Sequence, residues 1–181
     1  MNIVFWSKIR YNMQLEEYIN TIEDFPKNGI SFKDISPLFR NHFSELIEQL
    51  AHIFSEEELA EIDFVAGIEA RGFAVGAALA LKLGKGFIPI RKQGKLPPKV
   101  ARLAYDLEYG QDALEMHFGS GRVLLVDDVL ATGGTLKASA ELCEITGHRV
   151  MGMLCIVNLA YLNSFSFKNS PIRSLITFNQ P

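Results

Sequence analysis

Short unbroken apolar runs alternate with helix-length stretches of small and aliphatic residues through the middle of the chain. Phe64-Val65-Ala66-Gly67-Ile68 reads as a buried strand and is followed by Glu69-Ala70-Arg71-Gly72. An Ala- and Leu-rich helix is expected over 73–83, closed by the glycines at 84 and 86, with Phe87-Ile88-Pro89-Ile90 as the next strand. The pattern returns with Arg122-Val123-Leu124-Leu125-Val126 as a strand, a turn and helix over 133–146, Gly147 as its cap, and a strand over 149–157. Strands that are apolar without a period-two alternation suit a parallel sheet covered on both faces, so the expected class is α/β. Upstream, 14–23 reads as a short helix ended by Asp24-Phe25-Pro26 and the turn Lys27-Asn28-Gly29. Ser36 and Pro37 resemble an N-cap and first helical residue, opening a helix to about Ile53 with Leu46, Ile47 and Leu50 inward. Glu56, Glu57 and Glu58 fit a solvated helix start. Residues 100–117 are polar and lack helical periodicity, which fits a hairpin or a mobile loop, and 174–178 reads as an edge strand.

Composition narrows the function more than the fold. The 181 residues suit a single domain, with 48% hydrophobic and 22% charged residues. Lys and Arg number 18 against 21 Asp and Glu, a formal charge of −3, which disfavours a general nucleic-acid binder. The two cysteines, Cys143 and Cys155, lie in apolar stretches and make no disulfide framework, as expected in a reducing cytosol. No apolar run approaches a membrane span, and Ile3 to Trp6 is too short for a signal-peptide core, so a cytoplasmic location is the default. Residues 1–12 read as disordered or as an over-extended reading frame, with Met13 the natural start.

The chemistry concentrates in Val123-Leu124-Leu125-Val126-Asp127-Asp128-Val129-Leu130-Ala131-Thr132-Gly133-Gly134-Thr135. A buried strand ends in two carboxylates and turns through Ala131, Thr132, Gly133, Gly134 and Thr135 into a helix. Paired glycines let successive N–H groups converge, the helix start adds about half a positive charge, and the threonines add hydroxyls. That is a cradle for a phosphate monoester. Asp127 and Asp128 stand where open α/β sheets bind ligands, placed to accept hydrogen bonds from a ribose diol and to attract a divalent cation. Two other phosphate motifs are absent: there is no G-x-x-x-x-G-K-[ST], and Gly119-Ser120-Gly121 precedes its strand and lacks the third glycine. Arg91, Lys92 and Lys95 place three cations within five residues, either an anion site or a solvated surface run. Arg71 is a second anion candidate, since a guanidinium fork matches phosphate oxygens.

The thirteen-residue string resembles the phosphoribosyl pyrophosphate (PRPP) motif of type I phosphoribosyltransferases. Asp24-Phe25-Pro26, Phe32-Lys33-Asp34-Ile35-Ser36-Pro37, Gly67-Ile68-Glu69-Ala70-Arg71-Gly72-Phe73, Ile90-Arg91-Lys92-Gln93-Gly94-Lys95-Leu96-Pro97 and Leu107-Glu108-Tyr109-Gly110 follow in the order of the family's adenine-using branch. The resemblance implies a mostly parallel central sheet flanked by helices, a small N-terminal hood over 24–40 and a flexible catalytic loop over 98–118. It implies transfer of phosphoribose from PRPP to adenine, giving AMP and pyrophosphate with Mg²⁺ held mainly by substrate and water rather than by a dedicated metal site. Glu108 would be catalytic, and Ala131 to Thr135 would hold the 5′-phosphate while Asp127 and Asp128 hold the ribose. Glu69, Ala70, Arg71, Arg91, Lys92 and Lys95 would hold pyrophosphate, beside a cis peptide at Glu69-Ala70. Ser31, Phe32, Lys33 and Val129 would hold adenine; many relatives carry Arg at the position of Lys33, whose ammonium cannot reproduce a fork. The resemblance also implies a homodimer. Another purine as acceptor, or a PRPP-sensing regulator of the same fold, are the alternatives.

Overall fold

The computed structural model describes residues 13–107 and 110–181, apart from the side chains of 106–111. The expectations about 1–12 and about Glu108 therefore lie outside the described residues. After a 3₁₀ turn at Leu15–Tyr18 come strands β1 (Asn20–Ile22) and β2 (Phe32–Asp34), then helices α1 (Ser36–Asn41), α2 (Phe43–Ala51) and α3 (Glu56–Ala60). The body continues with β3 (Phe64–Ile68), α4 (Arg71–Leu83), β4 (Gly86–Lys92), β5 (Val100–Leu107), β6 (Gly110–His117), β7 (Gly121–Leu130), α5 (Gly134–Ile145) and β8 (His148–Leu159). The short β9 (Ser166–Phe167) and β10 (Ser170–Pro171) precede β11 (Arg173–Phe178).

Seven strands form one sheet in the order β11-β8-β7-β3-β4-β6-β5. The first five are parallel; β6 runs antiparallel to β4, and β5 antiparallel to β6. Each central strand serves two cores. Val65, Leu124, Val126, Leu154 and Ile156 face a cluster shared with α2 and α4, while Ala66, Val123, Leu125, Met153 and Cys155 face a second cluster with α5 and β6. Burial on both faces removes the polar alternation that a half-exposed strand would show. The class is α/β, a mostly parallel sheet between helical layers, as the apolar runs imply.

Several expectations change in detail. The helix expected over 14–23 is only the 3₁₀ turn, because the β-branched Thr21 and Ile22 pair with β2 instead (Thr21 with Lys33, Ile22 with Phe32). The helix expected from Ser36 to Ile53 breaks at His42 (φ −135°, ψ 25°) into α1 and α2. Its cap is not Ser36 but the Asp34 carboxylate, which accepts from the Ser36 N–H at 2.9 Å and from its hydroxyl. At Ser55 a full capping box opens α3 on the glutamates. The fourth helix starts at Arg71 rather than Phe73 and ends at Gly84 in the left-handed region. Residues 100–117 form the β5–β6 hairpin.

Candidate functional site

The site lies at the carboxyl ends of the parallel strands. β7 does not stop at Val126 as expected: it pairs with β3 only as far as Val126 but continues beside β8 to Leu130. Asp127 and Asp128 thus ride on an ordered strand just beyond its last pairing with β3. Asp128 is 8% exposed, and its Oδ2 lies 2.6 Å from Nε of Arg71, the first residue of α4. Asp127 Oδ1 accepts the Asp128 N–H at 2.9 Å. Burial, and after it the charge of Asp128, push the Asp127 carboxyl well above the usual carboxylate range. Gly72 makes the close approach possible, because a Cβ there would sit 3.0 Å from Asp127 Oδ1 and 3.2 Å from the Val126 carbonyl oxygen.

Beyond the acids the chain turns into α5. Asp127 and the stretch from Val129 to Leu136 line an open hollow of about 100 Å³. Gly133 caps the helix at φ +90°, a conformation that glycine adopts without penalty. The first-turn N–H groups of α5 have no partner within the helix and open toward this hollow. Thr135 Oγ1 lies 3.5 Å from the Tyr105 hydroxyl of β5, so the hairpin reaches the edge of the same turn.

A second group gathers at the end of β4. The Glu69–Ala70 peptide is cis. Glu69 accepts from Arg91 Nε at 3.3 Å and from the Lys92 N–H at 3.0 Å. Burial raises the Glu69 carboxyl, but these donors outweigh it and hold the group below its usual range. The Lys92 ammonium pairs with Asp112 of β6 at 3.1 Å, which raises its pKa, and the Lys95 side chain is exposed.

The third group is the hood. Phe32 meets Phe25 edge-on at 5.1 Å between ring centres, and the Ser31 hydroxyl donates to Glu23. Lys33 is buried, with Nζ 3.1 Å from Thr21 Oγ1 and 4.8 Å above the Phe178 ring. Its ammonium is committed to the sheet edge, which leaves its backbone for a ligand. Asp34 is held below its usual range by the Ser36 hydroxyl and N–H and, more weakly, by the charge of Arg71, which links the hood to the start of α4.

The phosphoribosyl transferase domain family matches residues 40–164. The chain is 49% identical to the adenine phosphoribosyltransferase of Hydrogenovibrio crunogenus, over 91% of this chain and 96% of that one. The chain belongs to the adenine phosphoribosyltransferase family. It is also similar to the solved enzyme of Thermoanaerobacter pseudethanolicus (TM-score 0.81, 44% identity, 91% of this chain and 99% of that one). The Saccharomyces cerevisiae enzyme, solved with an imino-altritol bisphosphate and adenine, has a TM-score of 0.81 and 38% identity, over 89% of this chain and 96% of that one.

Within this phosphoribosyltransferase, two contributors to the phosphate turn escaped sequence reasoning. Asn163 Nδ2 donates to the Ala131 carbonyl at 2.7 Å and lies 3.0 Å from the Leu159 carbonyl, while its Oδ1 accepts the Phe165 N–H. Phe165 packs behind the turn so closely that a Cβ on Gly133 would lie 2.7 Å from its ring. A lone Asn and a lone Phe in a polar tail carry no periodic signal. As for a cation, no group of three or more His, Cys, Asp or Glu gathers among the described residues. Asp127 and Asp128 are hard oxygen donors, and Asp128 Oδ2, though ion-paired with Arg71, accepts no aligned hydrogen bond among those residues, so the pair fits a Mg²⁺ delivered with substrate oxygens.

Proposed function

We propose that this phosphoribosyltransferase joins adenine to the ribose of PRPP, yielding AMP and pyrophosphate, with the residues described above in the following roles. The observation that carries the assignment is the phosphate-sized turn at the start of α5, directly beside two vicinal acids and Arg71. The turn from Ala131 to Thr135 receives the 5′-phosphate. Asp127 and Asp128 hold the ribose diol and favour the positive charge that grows on the ring as the anomeric bond opens. Arg71, Arg91, Lys92 and Lys95, with the backbone at Glu69 and Ala70, receive the negative charge of the departing pyrophosphate. Groups that meet charge only as it develops stabilise the transition state more than the bound substrate, which is the condition for acceleration. Mg²⁺, when bound, neutralises part of the pyrophosphate charge as a Lewis acid; Asp127 and Asp128 are the residues that would steady it. Phe32 and Val129 would flank adenine, with the backbone from Ser31 to Lys33 reading its edge. Glu108 would manage the proton on the purine so that N9 attacks.

The proposal extends to a cytoplasmic homodimer. Two free, buried cysteines, whose thiols burial pushes up, support a reducing compartment, and the exposed Leu81 on α4 supports an interface there. One assay tests the activity: incubation with PRPP, Mg²⁺ and adenine, hypoxanthine or xanthine in turn, reading the nucleotide formed. AMP from adenine alone is the expected result; no nucleotide from any base overturns the reading.

A further inference from the structure

The cation-bearing turn after β4 is built around a buried acid that the catalytic roles above leave unused. Glu115 lies on β6, paired across the ladders with Arg91 of β4 and Arg102 of β5. It has no exposed surface. Its Oε1 accepts the N–H of Lys95 at 2.7 Å and the N–H of Leu96, and its Oε2 accepts from Arg102 Nε at 3.1 Å. Burial pushes this carboxyl up, yet the N–H groups of Leu96, Gly94 and Lys95 and the Arg102 guanidinium bring it down to about 2. It is therefore an ionised group throughout the neutral range. A carboxylate without solvent demands donors, and here two successive main-chain N–H groups, of Lys95 and Leu96, supply them together with Arg102.

The consequence concerns geometry. With the N–H groups of Lys95 and Leu96 turned onto Glu115, the Lys92 and Lys95 side chains stay exposed. Gly94 takes φ +82° to close the turn, and from the opposite flank Arg91 Nη1 donates to the Lys95 carbonyl at 3.1 Å. The Gln93 N–H adds a bond to the Ala113 carbonyl at 2.9 Å. Among the described residues, every hydrogen bond of the Glu115 carboxylate goes either to this turn or to the arginine that balances its charge.

We propose that Glu115 is a positioning residue for pyrophosphate: it presets the turn that sets Lys95 beside Arg91 and Lys92 at the end of β4, facing the leaving group of PRPP, and so governs affinity for the pyrophosphate end of the substrate but not for the nucleotide end. This rests on the assignment of those three cations to pyrophosphate. The phosphate turn after β7 lies on a different loop and shares no hydrogen bond with Glu115, so AMP binding provides an internal control.

The test compares Glu115→Gln and Glu115→Asp with the parent chain, measuring the Kd of inorganic pyrophosphate with Mg²⁺ and the Kd of AMP by calorimetry, the KM of PRPP and of adenine, and Tm. Gln keeps an oxygen but sets an NH₂ group against a donor; Asp keeps the charge one methylene short. Glu115→Gln should weaken pyrophosphate and raise the PRPP KM by about tenfold or more, with AMP Kd and adenine KM within about twofold, since one lost charge-assisted contact is of that order. Glu115→Asp should fall between Gln and parent. Equal weakening of AMP and pyrophosphate, or unchanged pyrophosphate affinity in a folded Gln variant, overturns the proposal. If only Asp folds, the same selective loss is required of it; if neither folds, the carboxylate serves the fold rather than the site and the proposal fails. A parent chain that binds no pyrophosphate would instead sink the proposed function.

Discussion

Replacing Asn163 by Asp changes one atom group and reverses its hydrogen-bonding sense. In the parent, Asn163 Nδ2 stands 2.7 Å from the Ala131 carbonyl oxygen, 3.0 Å from that of Leu159 and 3.1 Å from Asn158 Oδ1, and its two hydrogens serve two of these acceptors. In Asn163→Asp an oxygen takes that place and faces only acceptors, while the other oxygen still takes the Phe165 N–H. Two hydrogen bonds of about 1 kcal/mol each are lost, so about 2 kcal/mol is the floor before repulsion is added. Ala131 opens the turn that lines the phosphate hollow, so the loss should fall on that turn. If all of it appears in ligand binding, AMP affinity drops roughly thirtyfold, since 1.4 kcal/mol corresponds to a factor of about ten. Calorimetry with AMP, beside a thermal melt and the KM values of both substrates, reads this directly. The expected result is weaker AMP and PRPP, adenine KM within about twofold, and a modest fall in Tm. AMP affinity equal to the parent's, together with a lowered Tm, would show that Asn163 secures only the C-terminal segment and has no hold on the turn.

Asp127→Asn retains the acceptor for the Asp128 N–H but removes a charge that burial and Asp128 both oppose, so at pH 8 the variant should melt no lower than the parent while turnover falls by about 10² or more. The raised Asp127 carboxyl gives the pH sign: the folded chain takes up this proton at higher pH than the unfolded chain, so acidification through that range favours the fold through this group while depleting the carboxylate that turnover requires. A pH profile of kcat/KM for PRPP should therefore fall on its acid side above the ordinary carboxylate range, and a plateau held down to pH 4 would refute the assignment. Gly133→Ala puts a methyl 2.7 Å from the Phe165 ring at φ +90°, and should weaken AMP at least tenfold; titration with AMP checks it. Glu108→Ala should lower kcat by about 10² with little change in PRPP affinity, and near-parent turnover in rapid-quench assays would remove Glu108 from the chemistry.

The two β-α-β units were legible because each is specified locally. β3 and β7 read as buried from their unbroken apolar runs, and Gly84 and Gly147 mark where α4 and α5 stop. The turn at the start of α5 was legible for the same reason: acids, glycines and threonines stand adjacent in the chain and shape one backbone bend. Where a segment's state depends on a distant partner, local reading failed. Thr21 and Ile22 become a strand only because Lys33 and Phe32 lie opposite them. Glu115 and Asn163 look like ordinary polar residues, and their roles exist only across 20 and 32 residues of intervening chain. Ser36 does not cap α1 with its own side chain: the Asp34 carboxylate two residues earlier takes both its N–H and its hydroxyl, the reach of an Asx turn, which competed with the Ser-Pro signal.

The cations assigned to pyrophosphate do not wait unpaired. Arg71 faces Asp128, Arg91 faces Glu69 and Lys92 faces Asp112, at 2.6, 3.3 and 3.1 Å. These pairs keep each cation aimed at the strand ends, yet the cationic side chains are 44%, 32% and 55% exposed. The cations are open to solvent while their carboxylate partners, 11%, 18% and 23% exposed, are not, so a ligand can reach each cation but must offset the charge it leaves behind. On the proposed roles, a multiply charged pyrophosphate would compete with these carboxylates for the cations more strongly than a single carboxylate or chloride would. Arg71 links this exchange to the ribose acids: when it turns to pyrophosphate, Asp128 loses its counter-charge beside Asp127. The Asp127 carboxyl, which the charge of Arg71 draws down, would then rise further, so a cationic ribose would have to replace that charge to keep the acids ionised. If the proposed roles hold, the two ends of PRPP would be coupled through the single guanidinium of Arg71.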